Sequence, residues 1–240
     1  MTSLDQRHVE PEILDHLEPD DPRAVASRRD LRLLNGLMGQ VAIAAGLLRD
    51  HVPAPPRRLL EIGSGDGVFM LRVARRLHRR WPQVHVILLD RQDLVSHETR
   101  AAFEGLGWTV ETVVADVFDW TAAASAPSQD VVAANLVLHH FSDDAIRLLF
   151  VRLAALTPIL VATEPLRRPF ALLASRSLRL VGTNAVTRHD APVSVRAGFR
   201  AAELSALWPE AAAHGLIERR RGLFTHTFCA AMPTDGAARP

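Results

Sequence analysis

The stretch Leu59-Leu60-Glu61-Ile62-Gly63-Ser64-Gly65-Asp66-Gly67-Val68-Phe69 decides the fold of this 240-residue chain. It reads as an apolar strand, an acidic residue, glycines on alternate positions and then an apolar helical pattern. Because glycine has no side chain and accepts positive φ, such a turn brings the backbone close to a bound ligand. The dinucleotide fingerprint needs a small residue where Val68 stands, which disfavours a pyrophosphate. A glycine loop that follows Glu61 suits a ligand with a positive charge, such as an amino group.

Strand and helix patterns alternate after this stretch and predict an α/β fold with helices on both faces of a parallel sheet. Two final strand-like runs joined at Gly222 predict an antiparallel hairpin. The rhythm fails after residue 164, where we predict an apolar helix, a polar loop over 182–200 and a short helix. The predicted strands span residues 58–62, 84–89, 109–114, 130–134, 159–163, 216–221 and 223–232, and the predicted helices span 68–80, 94–106, 170–181 and 201–208, with one more starting at Ser142 and a loop or short helix over 122–129.

The domain boundaries follow from composition. Residues 1–52 are predicted to form an N-terminal helical cap, since Asp21-Pro22 is a helix-start signal and leucines follow near helical spacing, with Asn35-Gly36 as a break. A proline-rich linker leads into the main domain, residues 53–233. Residues 234–240 are expected to be a flexible tail.

Bulk properties narrow the class of protein. A formal net charge of +1 does not indicate a surface for polyanions. The single cysteine, Cys229, fits a reducing compartment. The first residues lack the apolar region of a signal peptide, and no apolar run is long enough to span a bilayer. We therefore expect a soluble, cytoplasmic protein.

The segment Glu61 to Gly67 resembles motif I of the class I S-adenosylmethionine (SAM)-dependent methyltransferases. That resemblance implies a doubly wound, mostly parallel seven-stranded sheet, a Rossmann-like fold that ends in an antiparallel hairpin. It implies SAM as cofactor and S-adenosylhomocysteine (SAH) as product. The residues it assigns to the cofactor are Glu61, Gly63, Ser64, Gly65, Gly67, Asp90, Arg91, Asp116, Val117, Asn135 and Leu136.

Several of these residues follow the ends of successive predicted strands, where open α/β sheets bind ligands. Asp90 is suited to accept hydrogen bonds from both ribose hydroxyls. By resemblance, Asp116 accepts from the adenine amino group, the Val117 backbone reads a ring nitrogen, and Asn135 lies along the methionine part. Asp90 and Asp116 each have a structural alternative as a capping or turn residue. From the cap, Asn35 and residues 27–30 are candidate lining residues.

The acceptor is expected to be a small molecule. Residues 134–141, Ala-Asn-Leu-Val-Leu-His-His-Phe, resemble a segment of small-molecule methyltransferases, including quinone-ring enzymes. They are unlike the (Asn/Asp)-Pro-Pro-aromatic motif of many nucleic-acid amino methyltransferases, which argues against a nucleic-acid substrate. Residues 188–200 resemble a bacterial methyltransferase group of polyketide-type secondary metabolism. An acceptor site is expected in the insertion at about 165–200.

The sequence offers three histidines as a catalytic base: His139, His140 and His189. His189 stands beside Asp190 and Arg196 in the predicted loop. No acidic cluster shows metal-ligand spacing, so no metal is predicted. The favoured function is O-methylation of a phenolic or polyketide-like metabolite. C-methylation of a quinone-like ring or enolisable carbon and a non-catalytic SAM-binding regulator are the alternatives, and homodimerisation is left open.

Overall fold

A computed structural model of the chain describes residues 4–123, 126–210, 212 and 214–232. The predicted tail 234–240 lies outside these residues. Two helices, α1 (Pro22–Leu37) and α2 (Gln40–His51), precede the sheet. Asp21 caps α1 as expected, because its side chain accepts a hydrogen bond from the Arg23 backbone. The break before α2 falls at Gly39, whose φ of 69° is left-handed, rather than at Asn35-Gly36.

Strands and helices then alternate as predicted, with small shifts at their ends. The elements are β1 (Arg58–Ile62), α3 (Val68–Leu77), β2 (His85–Asp90), α4 (His97–Glu104), β3 (Thr109–Val114), α5 (Val117–Ala122), β4 (Val131–Asn135), α6 (Asp143–Leu156), β5 (Ile159–Pro165), α7 (Pro169–Arg176), α8 (Ala185–Ala197), β6 (Gly215–Arg221) and β7 (Thr225–Ala231). Short 3₁₀ turns lie at Leu14–His16, Leu138–His140, Ser177–Val181 and Ser205–Leu207.

The sheet has seven strands in the order β3-β2-β1-β4-β5-β7-β6. The first five strands in this order pair in parallel, while β7 pairs antiparallel with both β5 and β6. The sequence-based prediction of a doubly wound, mostly parallel sheet that ends in an antiparallel hairpin is therefore confirmed.

Alternate residues of the buried strands face two separate cores. In β1, Leu59 packs with α2 and α3, whereas Leu60 and Ile62 pack with α6 on the other face. This alternation follows from the two-residue period of a strand whose two faces are both covered by helices.

The prediction of a polar loop over 182–200 is wrong, because most of it is helix α8. Asn184 caps the helix by accepting a hydrogen bond from the Thr187 backbone. Pro192 lies inside the helix, although proline removes a backbone donor there. Val186 and Val193 are buried, so tertiary packing outweighs the weak helical signal of the sequence.

Residues 4–21 also differ from expectation, since apart from the 3₁₀ turn at Leu14–His16 they contain no helix. We call residues 4–17 the strap. Predicted helix 201–208 is reduced to turns and the 3₁₀ turn at Ser205–Leu207, and α5 at residues 117–122 was not predicted. Across the described part of the chain, no single helix has the length and hydropathy to cross a membrane; α1 and α2 meet that test only as a pair bent by 60°.

Candidate cofactor and acceptor site

The glycine loop lies at the carboxyl end of β1, where the backbone of each alternate glycine is left-handed. Gly63, Gly65 and Gly67 have φ values of 66°, 54° and 71°. A Cβ on Gly63 would lie 2.6 Å from Val137 Cγ2, and one on Gly67 would lie 2.8 Å from Leu88 Cδ1. A Cβ on Gly65 would meet nothing within 4 Å. Packing therefore requires the outer two glycines, while the middle one leaves open space.

Asp90 fixes the loop from the end of β2. Its Oδ2 accepts a hydrogen bond from the Gly65 backbone at 2.8 Å, and its Oδ1 accepts one from the Gln92 backbone at 3.0 Å. Each carboxylate oxygen retains a lone pair for another donor. Asp90 thus orders the loop and still has acceptor capacity on the side of the cavity that it lines.

A cavity of about 1230 Å³ opens where β1, β2 and β4 end. All the residues that the resemblance assigns to the cofactor, except Gly67, line this cavity. Its other walls come from the strap, α1, α7 and α8. The volume exceeds the usual range of about 300–1,000 Å³ for ligand pockets, so it has room for a cofactor and a second molecule.

Four side chains on the cavity wall carry buried polar atoms without a hydrogen-bond partner in the protein. These atoms are Glu61 Oε2, Ser64 Oγ, Asn35 Oδ1 and both polar atoms of the Gln40 amide. Buried polar groups are normally paired, so a ligand with complementary groups is expected to satisfy them. These atoms include both hydrogen-bond donors and hydrogen-bond acceptors, as the amino and carboxylate groups of an amino acid moiety in a ligand require.

Glu61 is the most unusual of these groups. It is 2% exposed, and burial raises the pKa of its carboxyl well above its usual value. The carboxylates of Asp66 and Asp90 raise this pKa further. A cationic amino group beside Glu61 would offset both effects, so the residues present fit the SAM cofactor that the glycine loop indicates.

The other assigned residues have partial structural roles. Asp116 caps α5, since its Oδ1 accepts from the Phe118 backbone at 2.7 Å. Asn135 Oδ1 accepts from the Thr163 hydroxyl at 2.8 Å. Leu136 adopts a left-handed φ of 54°, which is costly for a residue with a side chain. Leu136, Val117 and Arg91 all line the cavity.

The three candidate histidines lie in different surroundings. His140 lines the cavity, and its Nδ1 lies 3.1 Å from Asp15 Oδ2. His189 does not line the cavity; its side chain is 53% exposed, and its Nδ1 lies 2.8 Å from Asp190 Oδ1. Only His139 and His140 are brought together at the cavity wall.

His139 is buried between two carboxylates. Its Nδ1 lies 2.7 Å from Glu164 Oε2, and its Nε2 lies 3.4 Å from Glu12 Oε1. Burial lowers the pKa of His139, but contacts with Glu12 and Glu164 outweigh burial and raise this pKa to about 9. Glu164 is held in turn by the backbone N–H groups of Val137 and Leu138 at 3.1 and 2.8 Å.

The strap brings acidic side chains to this wall, which sequence reasoning missed. Glu12 and Asp15 both line the cavity and contact His139 and His140 respectively. Burial opposes ionisation of both acids, yet their histidine partners lower the pKa of each. The strap has no helical or strand periodicity, so its sequence gives no signal for this placement.

Helix α8 holds the strap in place. Asp190 accepts hydrogen bonds from the backbones of Ile13 and Leu14 at 2.9 and 3.0 Å. Arg196 contacts Glu10 at 3.3 Å, and Ser194 donates to Glu12. The polar residues of this helix, interpreted from sequence as part of an acceptor loop, thus bind the N-terminal segment, and Ser194 also lines the cavity.

In the cap, the expected lining residues are only partly at the cavity. Arg28 and Asn35 line it. Ser27 instead contacts the Thr187 hydroxyl at 3.0 Å, and Asp30 accepts from the Asn184 backbone at 2.8 Å. Gln40, which sequence reasoning did not select, lines the cavity from the first turn of α2.

Comparisons with known proteins agree with this geometry. Residues 59–158 match a family described as a methyltransferase domain. An uncharacterized methyltransferase of Mycobacterium tuberculosis is 33% identical over 97 residues, which cover 40% of this chain and 44% of that protein. The match therefore spans less than half of the length of that relative.

Solved structures show the same fold. An O-methyltransferase family protein from Burkholderia thailandensis has a TM-score of 0.60 at 19% identity, with 90% of this chain and 61% of that chain covered. The SAM-dependent methyltransferase SibL has a TM-score of 0.60 at 18% identity, with 95% and 64% covered. Magnesium protoporphyrin IX methyltransferase from Synechocystis PCC 6803 with bound SAM has a TM-score of 0.51 at 15% identity, with 86% and 83% covered.

The sheet order and the family match together define a methyltransferase domain with a Rossmann-like fold. The glycine loop at the end of β1 lies within the matched segment, and these findings support the resemblance to the class I SAM-dependent methyltransferases.

Proposed function

We propose that this protein transfers a methyl group from SAM to a hydroxyl oxygen of a small, mostly apolar acceptor, a phenolic or polyketide-like metabolite. The observation that carries the proposal is the cavity, which joins the glycine loop and unpartnered Glu61 to an aliphatic wall. The wall includes Leu31, Leu34 and Met38 near α1 and Leu178 after α7.

SAM, when bound, supplies a methyl group on a positively charged sulfur, which is a good leaving group. The protein's own task is to hold the acceptor oxygen in line and to exclude water. Glu61, Ser64 and Gln40 are suited to hold the amino acid moiety, because their buried polar atoms lack partners within the protein. Asp90 is suited to hold the ribose, and Asp116 and Val117 the adenine.

The acceptor side is suited to an apolar ring. Helices α1 and α7 both line the cavity, and the residues that they contribute to its wall are mainly aliphatic. Among the three candidate histidines, His140 is the one that an acceptor in the cavity reaches, since His139 has a carboxylate beside each ring nitrogen and His189 lies outside. We therefore place the acceptor hydroxyl beside His140.

Binding of SAH tests the cofactor half of the proposal. Calorimetry is expected to show one binding event, which Asp90→Ala weakens by about 1–3 kcal/mol because it removes an acceptor and loosens Gly65. Asp93→Ala is the matched control, since Asp93 is an exposed carboxylate in the segment that follows β2, 3.7 Å from Arg100. Absence of binding at millimolar SAH would overturn the assignment.

Turnover tests the acceptor half. Phenolic compounds incubated with ¹³C-methyl SAM are expected to yield a methoxy product that NMR distinguishes from a C-methyl product. His140→Ala is expected to keep SAH affinity while turnover falls. Formation of a carbon–methyl bond would replace O-methylation with C-methylation, and SAH binding without any turnover would favour a non-catalytic regulator.

A further inference from the structure

A group of potential metal ligands lies where the strap meets the segment after β4. One ligand atom each from Glu12, His139 and His140 lies within 4.8 Å of the other two. Glu12 and His139 are buried, and all three residues line the cavity. Two imidazoles and one carboxylate are a donor set that binds zinc and other divalent transition metals.

Both imidazoles are held at the nitrogen that would face away from a metal. His139 Nδ1 lies 2.7 Å from Glu164 Oε2, and His140 Nδ1 lies 3.1 Å from Asp15 Oδ2. A carboxylate on Nδ1 assigns the proton to that nitrogen and leaves the Nε2 lone pair for a metal. Metal-bound histidines commonly have this second contact, and here both candidate ligands have it.

The spacing of the third ligand fits the same geometry. Glu12 Oε1 lies 3.4 Å from His139 Nε2, longer than the roughly 2.7–2.9 Å of a charge-assisted hydrogen bond. Two ligands that each lie about 2.1 Å from a tetrahedral zinc are about 3.4 Å apart. The Ser194 hydroxyl donates to Glu12 and holds its carboxylate in place.

We propose that Glu12, His139 and His140 form a binding site for one divalent transition metal of the zinc type, with a further coordination position open to the cavity. The sequence predicts no metal because Glu12 is remote from the two histidines along the chain. Since Glu12 belongs to the strap, the bound ion would also fasten the strap to the domain. The inference does not depend on methyl transfer.

Calorimetric titration of the chelator-treated protein with Zn²⁺ tests the proposal. One equivalent is expected to bind, and Glu12→Gln and His140→Ala are each expected to weaken binding at least tenfold. His189→Ala is the matched control, because His189 is an exposed histidine beside a carboxylate outside the cluster. Co²⁺ in place of Zn²⁺ is expected to give the visible absorption of a low-symmetry nitrogen–oxygen site that both variants lose.

Two results would overturn the proposal: no stoichiometric Zn²⁺ binding, or binding that survives both substitutions. Either result would mean that Glu12, His139 and His140 belong to an ion-pair network and not to a metal site. SAH calorimetry on each variant shows that the fold is retained, and if Glu12→Gln fails this check the half-buried His140 carries the test. SAH binding by metal-free protein keeps failure here separate from failure of the proposed function.

Discussion

Gly63 and Gly65 share a left-handed backbone but differ in what surrounds them. A methyl group on Gly63 would overlap Val137, whereas one on Gly65 would enter open space. We expect Gly63→Ala to lower the free energy of unfolding by about 2–5 kcal/mol, from backbone strain and overpacking together. Gly65→Ala is expected to cost about 1–2 kcal/mol, from strain alone. Urea denaturation measures both.

A double variant checks the physical reason. Val137→Ala removes the methyl groups that the new Cβ of Gly63→Ala would meet, so the combined variant is expected to regain the overpacking part of the loss. Gly65→Ala is expected to weaken the free energy of SAH binding by more than it lowers the free energy of unfolding, because Gly65 lines the cavity. Equal stability losses at both glycines would contradict the account.

Glu61 is expected to make the ligand-free protein less stable as the pH rises. Its pKa is raised in the folded state by burial and by Asp66 and Asp90, so the folded protein keeps a proton that the unfolded chain releases above its ordinary pKa of 4.5. Stability therefore falls as pH increases from there. Glu61→Gln, which cannot titrate, should exceed wild type in free energy of unfolding by at least about 1 kcal/mol at pH 8.

Bound cofactor should reverse this order. If Glu61 contacts a cationic amino group, saturating SAH stabilises the wild type more than Glu61→Gln, since only the wild type offers a full negative charge. Urea denaturation at pH 5 and pH 8, with and without SAH, separates the two effects. A Glu61→Gln protein that is less stable than wild type in the ligand-free state at pH 8 would refute the argument.

At the scale of elements, α8 acts mainly as an anchor for the strap. Asp190 is buried and accepts two backbone hydrogen bonds from the strap. Asp190→Ala leaves those two N–H groups without this partner, so we expect a loss of about 1–3 kcal/mol in unfolding free energy. Faster proteolysis within residues 4–17 should accompany it, as measured by mass spectrometry of early fragments.

His189→Ala serves as the neighbouring control. The His189 side chain is largely exposed and lies outside the cavity, so its removal should change stability by less than about 0.5 kcal/mol. Equal protease sensitivity of the two variants would show that Asp190 does not hold the strap.

These elements also show which parts of the fold can be predicted from the sequence. The β1–loop–α3 unit was predictable because strand, glycines and helix are encoded by adjacent residues, and the alternation of strands and helices after it was predictable for the same reason. Helix α8 was not predictable, because Pro192 and the polar residues around it are typical of a loop. The contacts that stabilise the helix are made with residues far away in the chain. The position of the strap was missed for the same reason. It is fixed by contacts with Asp190 and His139, which are remote in the chain, so the sequence of the strap itself does not indicate them.

The same distinction applies to the site. Asp90 and Asp116 were predictable as residues that follow strand ends, and both line the cavity. Gln40 and Glu12 were not, since a polar residue near a helix start or in an aperiodic segment has an ordinary local explanation. Their importance comes from burial and from missing or unusual partners, which only the folded chain reveals.

For the whole molecule, the cap divides into a part that belongs to the core and a part that does not. Val41, Ala44, Leu47 and Leu48 of α2 pack in one core with β1 and α3. Neither of the two hydrophobic cores includes a described residue before α2. The boundary predicted at residue 52 therefore falls between α2 and the sheet, although α2 covers one face of that sheet.

Two truncations test this division. Removal of residues 1–19 takes away the strap but no core side chain, so the remaining chain is expected to fold cooperatively, with lower stability from the lost Asp190 contacts. Removal of residues 1–52 uncovers the apolar face that α2 buries, at a cost of roughly 2–5 kcal/mol for each large aliphatic side chain, and is expected to give an aggregating or unfolded product. Circular dichroism and thermal melting distinguish the two outcomes. The variant without residues 1–19 lacks Glu12 and Asp15 but keeps the glycine loop, so it should retain SAH binding yet lose turnover. If it is as active as the full chain, the strap takes no part in the acceptor site.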